Sequence, residues 1–228
     1  MSKYSISILF LWLSLTLNAQ QVNDSISKDT ISAKNIPLKF RVGFDLGKFI
    51  LAQVNDSQSV DFTIEGNYKN YFAVVEFGLE TRNIKNSLLQ YDAKGSYFRI
   101  GFDYDLYDNW PGMYNNITLG MRYGHASYDS HLYGYTINQP NNAWQPQWVS
   151  TNKSFEGLSA NWIEVVSKVQ VETFKNLYMG YSISLKYLLN YAQAEDFDVA
   201  YIPGFFKRNA YSNLGFGMQY IISYQFDF

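Results

Sequence analysis

The chain contains no cysteine. Disulfides, thiolate metal sites, cysteine nucleophiles and a lipid-modified N-terminal Cys are therefore excluded. Charge is scarce too: 17% of residues are charged and the net charge is −2. No basic run of the kind that reads phosphates occurs, which argues against nucleic acid as a partner. Walker loops, HExxH, GxSxG and calcium loops are missing, so no motif assigns a cofactor, a metal or a catalytic residue. Beyond residue 20 no apolar run is long enough to cross a bilayer as a helix.

What the chain has in quantity is aromatic residues: 18%, with 20 Tyr and 17 Phe. Its mean hydropathy of −0.23 suits a water-soluble protein. It suits equally a sheet whose strands carry one apolar and one polar face, because the two cancel in an average. At the N-terminus, Lys3 precedes the apolar stretch Ser5 to Leu17, and Leu17-Asn18-Ala19 offers a small residue before Gln20. This reads as a secretory signal peptide over 1–19, too short for a comfortable membrane helix. Residues 20–38 are polar and aperiodic, a flexible periplasmic lead-in to a domain over 39–228. A mature chain of this kind can sit in a membrane only as a closed barrel, since lipid cannot satisfy an open sheet edge.

Alternation with period two runs through that domain. The apolar rows are Phe40, Val42, Phe44 and Leu46; Val60, Phe62 and Ile64; Ala73, Val75, Phe77 and Leu79; and Phe98, Ile100, Phe102, Tyr104 and Leu106. They continue as Ile117, Leu119, Met121 and Tyr123; Ile163, Val165, Val169 and Val171; and Leu177, Met179, Tyr181, Ile183, Leu185 and Tyr187. The last row runs Leu214, Phe216, Met218, Tyr220, Ile222, Tyr224, Phe226 and Phe228. None of these rows holds Asp, Glu, Lys or Arg. Charge facing mid-bilayer would cost roughly 2–4 kcal/mol for Lys or Arg. Links after the second, fourth and sixth strands are short. The others, at 52–58, 83–94, 127–159 and 190–211, read as longer loops. The fold class is therefore all-β: a transmembrane antiparallel up-and-down β-barrel of about eight strands. A soluble β-sandwich also alternates, but it would show turns of similar length at both ends.

Tyr224, Phe226 and Phe228 resemble the C-terminal assembly signal of Gram-negative outer-membrane barrels. Over roughly 39–228 the chain resembles the small eight-stranded barrels of that membrane, among them functionally unassigned members, some of which accompany larger assembly or export machines. The resemblance implies an integral outer-membrane protein surrounded by lipid and inserted by the barrel-assembly machinery.

Opposite the apolar rows lie Arg41, Asp45, Asp61, Glu65, Glu76, Glu80, Arg82, Arg99, Asp103, Asp105, Arg122, Glu164, Lys168, Glu172 and Lys186. Eight strands enclose only enough room for side chains. Both signs are present, so a plug of ion pairs is expected, with a narrow polar path for small solutes as the alternative. The two histidines, His125 and His131 beside Asp129 and Ser130, are the one catalytic or metal candidate, at the rim. Trp110, Trp144, Trp148 and Trp162 fit an interfacial girdle; alternatively Trp144 and Trp148, within the amide-rich link, fit a docking surface. The expected function is non-enzymatic: a structural or accessory subunit that binds a protein partner in the outer membrane. A narrow channel and a rim enzyme are the alternatives.

Overall fold

The computed structural model describes residues 39–54, 57–109, 113–137, 147–192, 199–207 and 212–227. The expected signal peptide and lead-in, Trp110, Trp144 and Phe228 lie outside the described residues. The elements are β1 (Lys39–Asp45), α1 (Leu46–Val54), β2 (Gln58–Tyr68), β3 (Tyr71–Lys85), β4 (Leu89–Asp105), β5 (Asn116–Ile137), β6 (Gln147–Phe174), β7 (Leu177–Tyr191), β8 (Tyr201–Ile202), β9 (Phe206–Lys207) and β10 (Leu214–Asp227). Strands β1 to β7 and β10 close into one antiparallel ring, in which chain neighbours pair and β10 returns to β1.

The register draws an apolar line round the outside. Val42 stands opposite Ile64, Ile64 opposite Val75, and Val75 opposite Ile100. The line continues through Tyr123, Ile163 and Tyr187 to Leu214. Every one of these side chains is more than a third exposed. In water such a belt would be an aggregation liability; in hydrocarbon it is the stable face. No described helix is long and apolar enough to cross a membrane, so the crossing belongs to the strands. At the short-turn end the belt is bordered by aromatics: Tyr71 and Tyr104 lie 5.1 Å apart, and Tyr224 and Phe226 5.0 Å apart.

Three expected links differ. The 83–94 link is instead a tight turn between strands, because β3 runs on to Lys85 and β4 begins at Leu89. There the Asn86 side chain accepts the amides of Leu88 and Leu89 at 2.9 and 2.8 Å. Most of 127–159 is strand, since β5 reaches Ile137 and β6 starts at Gln147, although a membrane crossing needs only about 9–11 residues. Residues 46–54 form α1 rather than strand end and loop; Leu46, Phe49, Ile50 and Gln53 recur at helical spacing, and Ala52 is the buried contact. Within the 190–211 loop, β8 and β9 pair as a small hairpin.

Inside, the ring has two storeys. At the level of the belt the interior is charged. Beyond it, towards the long-hairpin end, Tyr91, Ala93, Tyr97, Ala126, Tyr128, Leu132, Leu158, Ala160 and Trp162 point inward, and Val199, Tyr201, Ile202 and Phe205 pack onto them. Two glycines make room at the boundary: a Cβ on Gly78 would overlap the Tyr97 ring, and one on Gly124 would overlap Trp162.

Candidate functional site

Strand alternation sends every second side chain into a bore that eight strands make just wide enough for side chains to fill, so the polar residues of the strands meet each other. Arg99 on β4 lies 3.0 Å from Asp61 on β2 and 2.5 Å from Glu76 on β3, and reaches Glu164 on β6 at 3.7 Å. Arg122 on β5 grips Asp103 through both terminal nitrogens, at 2.5 and 3.0 Å, and donates Nε to Glu76 at 3.1 Å. Lys168 bridges Glu65 and Asp103, the latter at 3.1 Å. Lys186, fully buried, lies 3.5 Å from Glu164. Paired in this way the charges are tolerable in a dry interior; any one of them alone would be expensive.

Arg41 closes the short-turn end of the cluster. Its guanidinium donates to Gln225, Asn116 and Gln170 at 3.1, 2.8 and 3.2 Å, and stands 3.8 Å from the centre of the Tyr178 ring. Asp45 accepts the amides of Lys48 and Tyr220 at 3.0 and 3.2 Å, tying α1 to β1 and β10. The fifteen inward charges thus divide. Twelve are buried in the lumen: Arg41, Asp45, Asp61, Glu65, Glu76, Glu80, Arg99, Asp103, Arg122, Glu164, Lys168 and Lys186. Asp105 and Glu172 sit half-buried at the short-turn end, where Asp105 accepts the Asn116 side chain at 2.5 Å and Glu172 accepts the Asn176 amide at 2.8 Å. Arg82 stands at the other end, over the Tyr201 ring.

Residues outside the strand pattern complete the upper seal. Lys48 of α1 reaches in to Glu80 at 3.0 Å and to the Tyr97 hydroxyl at 2.5 Å. The Tyr97 hydroxyl in turn donates to Asp61 at 2.6 Å. The β8–β9 hairpin is held by the Tyr201 hydroxyl donating to Glu80, the Gly204 amide donating to Glu80 at 3.1 Å, and Lys186 donating to the Gly204 carbonyl at 2.5 Å. Trp162 differs from the expected girdle: it is fully buried, with its Nε1 donating to Glu164 at 2.5 Å and its ring 5.9 Å from Phe205. Its even number puts it on the inner face of β6, where the apolar upper core takes the ring and the charged storey takes the N–H.

The chain matches over residues 1–228 the family described as Domain of unknown function (DUF6048). It belongs to that family. No curated protein matches it. Among solved structures it is similar to Ail, the attachment invasion locus protein of Yersinia pestis, at 10% identity and a TM-score of 0.40, covering 83% of this chain and 99% of that one. Ail in complex with the heparin analogue sucrose octasulfate is similar at 8% identity and a TM-score of 0.40, covering 84% and 100%.

The histidine pair does not assemble. His125 and His131 are six positions apart on one face of β5, about 20 Å along a strand. His125 Nδ1 is paired with Asn161 at 2.7 Å; His131 is held by Ser154 and Asn152, both at 2.8 Å. Ser130 is buried on the opposite face, and Asp129 Oδ1 accepts the Gly157 amide at 2.8 Å. No grouping of potential metal ligands occurs among the described residues. The expected rim candidate is thereby dispersed into separate surface hydrogen bonds. Nearby, the exposed Tyr133 hydroxyl donates to Asp92 at 2.8 Å, and that carboxylate raises the phenol above its ordinary value. Trp148 lies in β6 opposite Thr136, 40% exposed, not in a loop.

Proposed function

We propose that this outer-membrane barrel works by binding, as a structural or accessory subunit of a larger outer-membrane complex, and that it carries out no chemistry of its own. A signal peptide exports it, the barrel-assembly machinery inserts it, and the long hairpins face outward, since barrels of this class place their short turns on the periplasmic side. One observation carries the reading: β3 to β6 continue past the lipid belt as a wall with its own apolar core and a polar, aromatic outer face. A solid wall built beyond the membrane's needs supports a docking role. Tyr133, Ile137 and Trp148 are exposed on it, a composition suited to protein contacts. The ion pairs across the lumen and the hairpin above them favour a closed barrel over a narrow channel.

Affinity capture of the tagged protein from native membranes, after mild detergent extraction, tests this. A partner co-eluting in fixed proportion, and lost when Tyr133 and Trp148 are changed to Ser, supports it; a barrel that elutes alone sinks it. Planar-bilayer recordings of the purified protein should be silent, and steady unitary conductance would favour the channel instead.

A further inference from the structure

A cavity of about 280 Å³ lies above the sealed lumen, walled by α1, the start of β2, the inner side of β3 and the β8–β9 hairpin. Leu51 and Lys207 are exposed at its border, so it opens to water at the long-hairpin end. Its apolar lining comes from Leu51, Ala52, Tyr201 and Phe206. Glu80 is the carboxylate within it, and its bonding is complete: Tyr201 holds Oε1, while Gly204 and Lys48 hold Oε2. Arg82, Lys207 and Ser59 line the same cavity with their bonding incomplete. Arg82 stands over the Tyr201 ring, 5.8 Å from its centre, and has no anionic partner among the described residues. Lys207 pairs in register with Tyr201, which sets the two side chains beside each other at roughly 4.5–5.5 Å between Cβ atoms. It too has no anionic partner among the described residues. The Ser59 hydroxyl, on a residue 6% exposed, has no hydrogen-bond partner. Lys48 and Glu80 neutralise each other, so the cavity keeps the positive charge of Arg82 and Lys207, gathered round one tyrosine.

The hairpin wall is held in an uncommon backbone conformation. Phe206 has a φ of 88°, in the left-handed region that a bulky side chain rarely enters. Its ring centre lies 5.1 Å from the Lys48 ammonium and 4.5 Å from that of Lys186, and attraction to two cations offsets the backbone cost. Phe206 is thereby fixed against α1 as an apolar wall facing the cavity.

We propose that this cavity binds a small organic acid arriving from the long-hairpin side. Arg82 and Lys207 take its carboxylate, Ser59 donates a further hydrogen bond, and Leu51 and Phe206 cover its apolar body. A guanidinium fork matches the two oxygens of a carboxylate, and such charge-assisted bonds are the strong ones. A mostly apolar cleft with a few convergent polar groups is the usual form of a small-molecule site. The volume lies at the lower end of the usual range of about 300–1,000 Å³, so the ligand is smaller than a drug-sized molecule. Inorganic phosphate suits the site less well: it would leave the apolar walls uncovered, and the Gly204 amide that could help hold it is already given to Glu80. The site requires no protein partner and goes beyond the docking role.

The full-length barrel, folded in a neutral detergent, is titrated by calorimetry with 3-phenylpropionate, hexanoate, 3-phenylpropionamide, acetate and inorganic phosphate, with detergent alone as the blank. At least one of the two larger acids is expected to bind about tenfold tighter than the amide, which lacks the charge, and than acetate, which lacks the body. R82Q and K207Q should each weaken that acid about tenfold, with R82K falling between wild type and R82Q because it keeps the charge and loses the fork. S59A should weaken it about threefold, and L51S should weaken it without changing acetate. K94Q, on the outer face of β4, and K175Q, at the short-turn end, should change nothing. Heat-shifted gel mobility checks that each variant is folded. Neither acid binding more tightly than the amide overturns the proposal, and so does a loss in K94Q equal to that in R82Q. Phosphate binding more tightly than both acids overturns the organic-acid assignment in favour of an inorganic anion.

Discussion

Along β5 a single strand crosses two environments and answers them in opposite ways. From Ile117 to Tyr123 its odd-numbered residues are apolar and face outward, while Arg122 faces the charged lumen. From Ala126 to Leu132 the even-numbered residues face inward and, Ser130 apart, are apolar, while Ser127, Asp129 and His131 line the outside. β4 and β6 switch at the same level, at Tyr97 and Trp162. Lipid rewards an apolar exterior and obliges the interior to pair its charges; water rewards the reverse, at about 25 cal/mol for each Å² of apolar surface hidden. The backbone hydrogen-bond ladder is indifferent to the change. The height of the switch is therefore a marker, written in side chains, of where the membrane ends.

The largest test of this division removes a charge from the lower storey. Arg99→Met takes the guanidinium from Asp61, leaves Glu76 with Arg122 alone, and should lower unfolding stability in detergent by about 3–5 kcal/mol. A change below about 1 kcal/mol would mean the lumen charges are solvated rather than mutually dependent. Next comes a matched pair on the outer face. Ile100→Arg should cost roughly 2–4 kcal/mol in a bilayer, whereas Ser127→Arg, on the same face beyond the belt, should cost almost nothing. Equal penalties would erase the boundary. Smaller still, Tyr201→Phe removes the hydroxyl that holds the hairpin to Glu80 and should destabilise by about 1–3 kcal/mol. It should also speed proteolysis between Val199 and Lys207, measured by timed digestion of the folded protein. The smallest effect is at Tyr133. Its raised phenol favours the neutral form in the folded state, so the linked stability is complete below the unfolded phenol value and is lost as pH rises through the folded one. Ultraviolet titration should show this phenol ionising later than free tyrosine, and Asp92→Asn should bring it back.

The lower storey was legible because its pattern is rigid: Phe98, Ile100, Phe102 and Tyr104 admit one register, which places Arg99 and Asp103 inside. The upper storey was not, for a physical reason. At the switch the apolar parity changes from even to odd on β4 and from odd to even on β5, so a search for one continuous apolar row sees the strand stop. Tyr91, Ala93 and Tyr97 carry the missing row, and reading both parities would have found it. Pro203-Gly204 between Ile202 and Phe205 was a turn signal for the small hairpin. Nothing in the strand pattern announces that Lys48, from a helix, enters the lumen; that follows only once α1 is seated against β2 and β10.

The seam between β1 and β10 has a kinetic consequence. Lys39 pairs with Asp227, so the stave laid first waits for the stave laid last, and only seven rungs join them. Contacts so distant along a chain form slowly, and until they form β1 exposes a full row of unsatisfied amides. Until the seam closes, a half-built cylinder of this kind offers that edge to any other strand it meets.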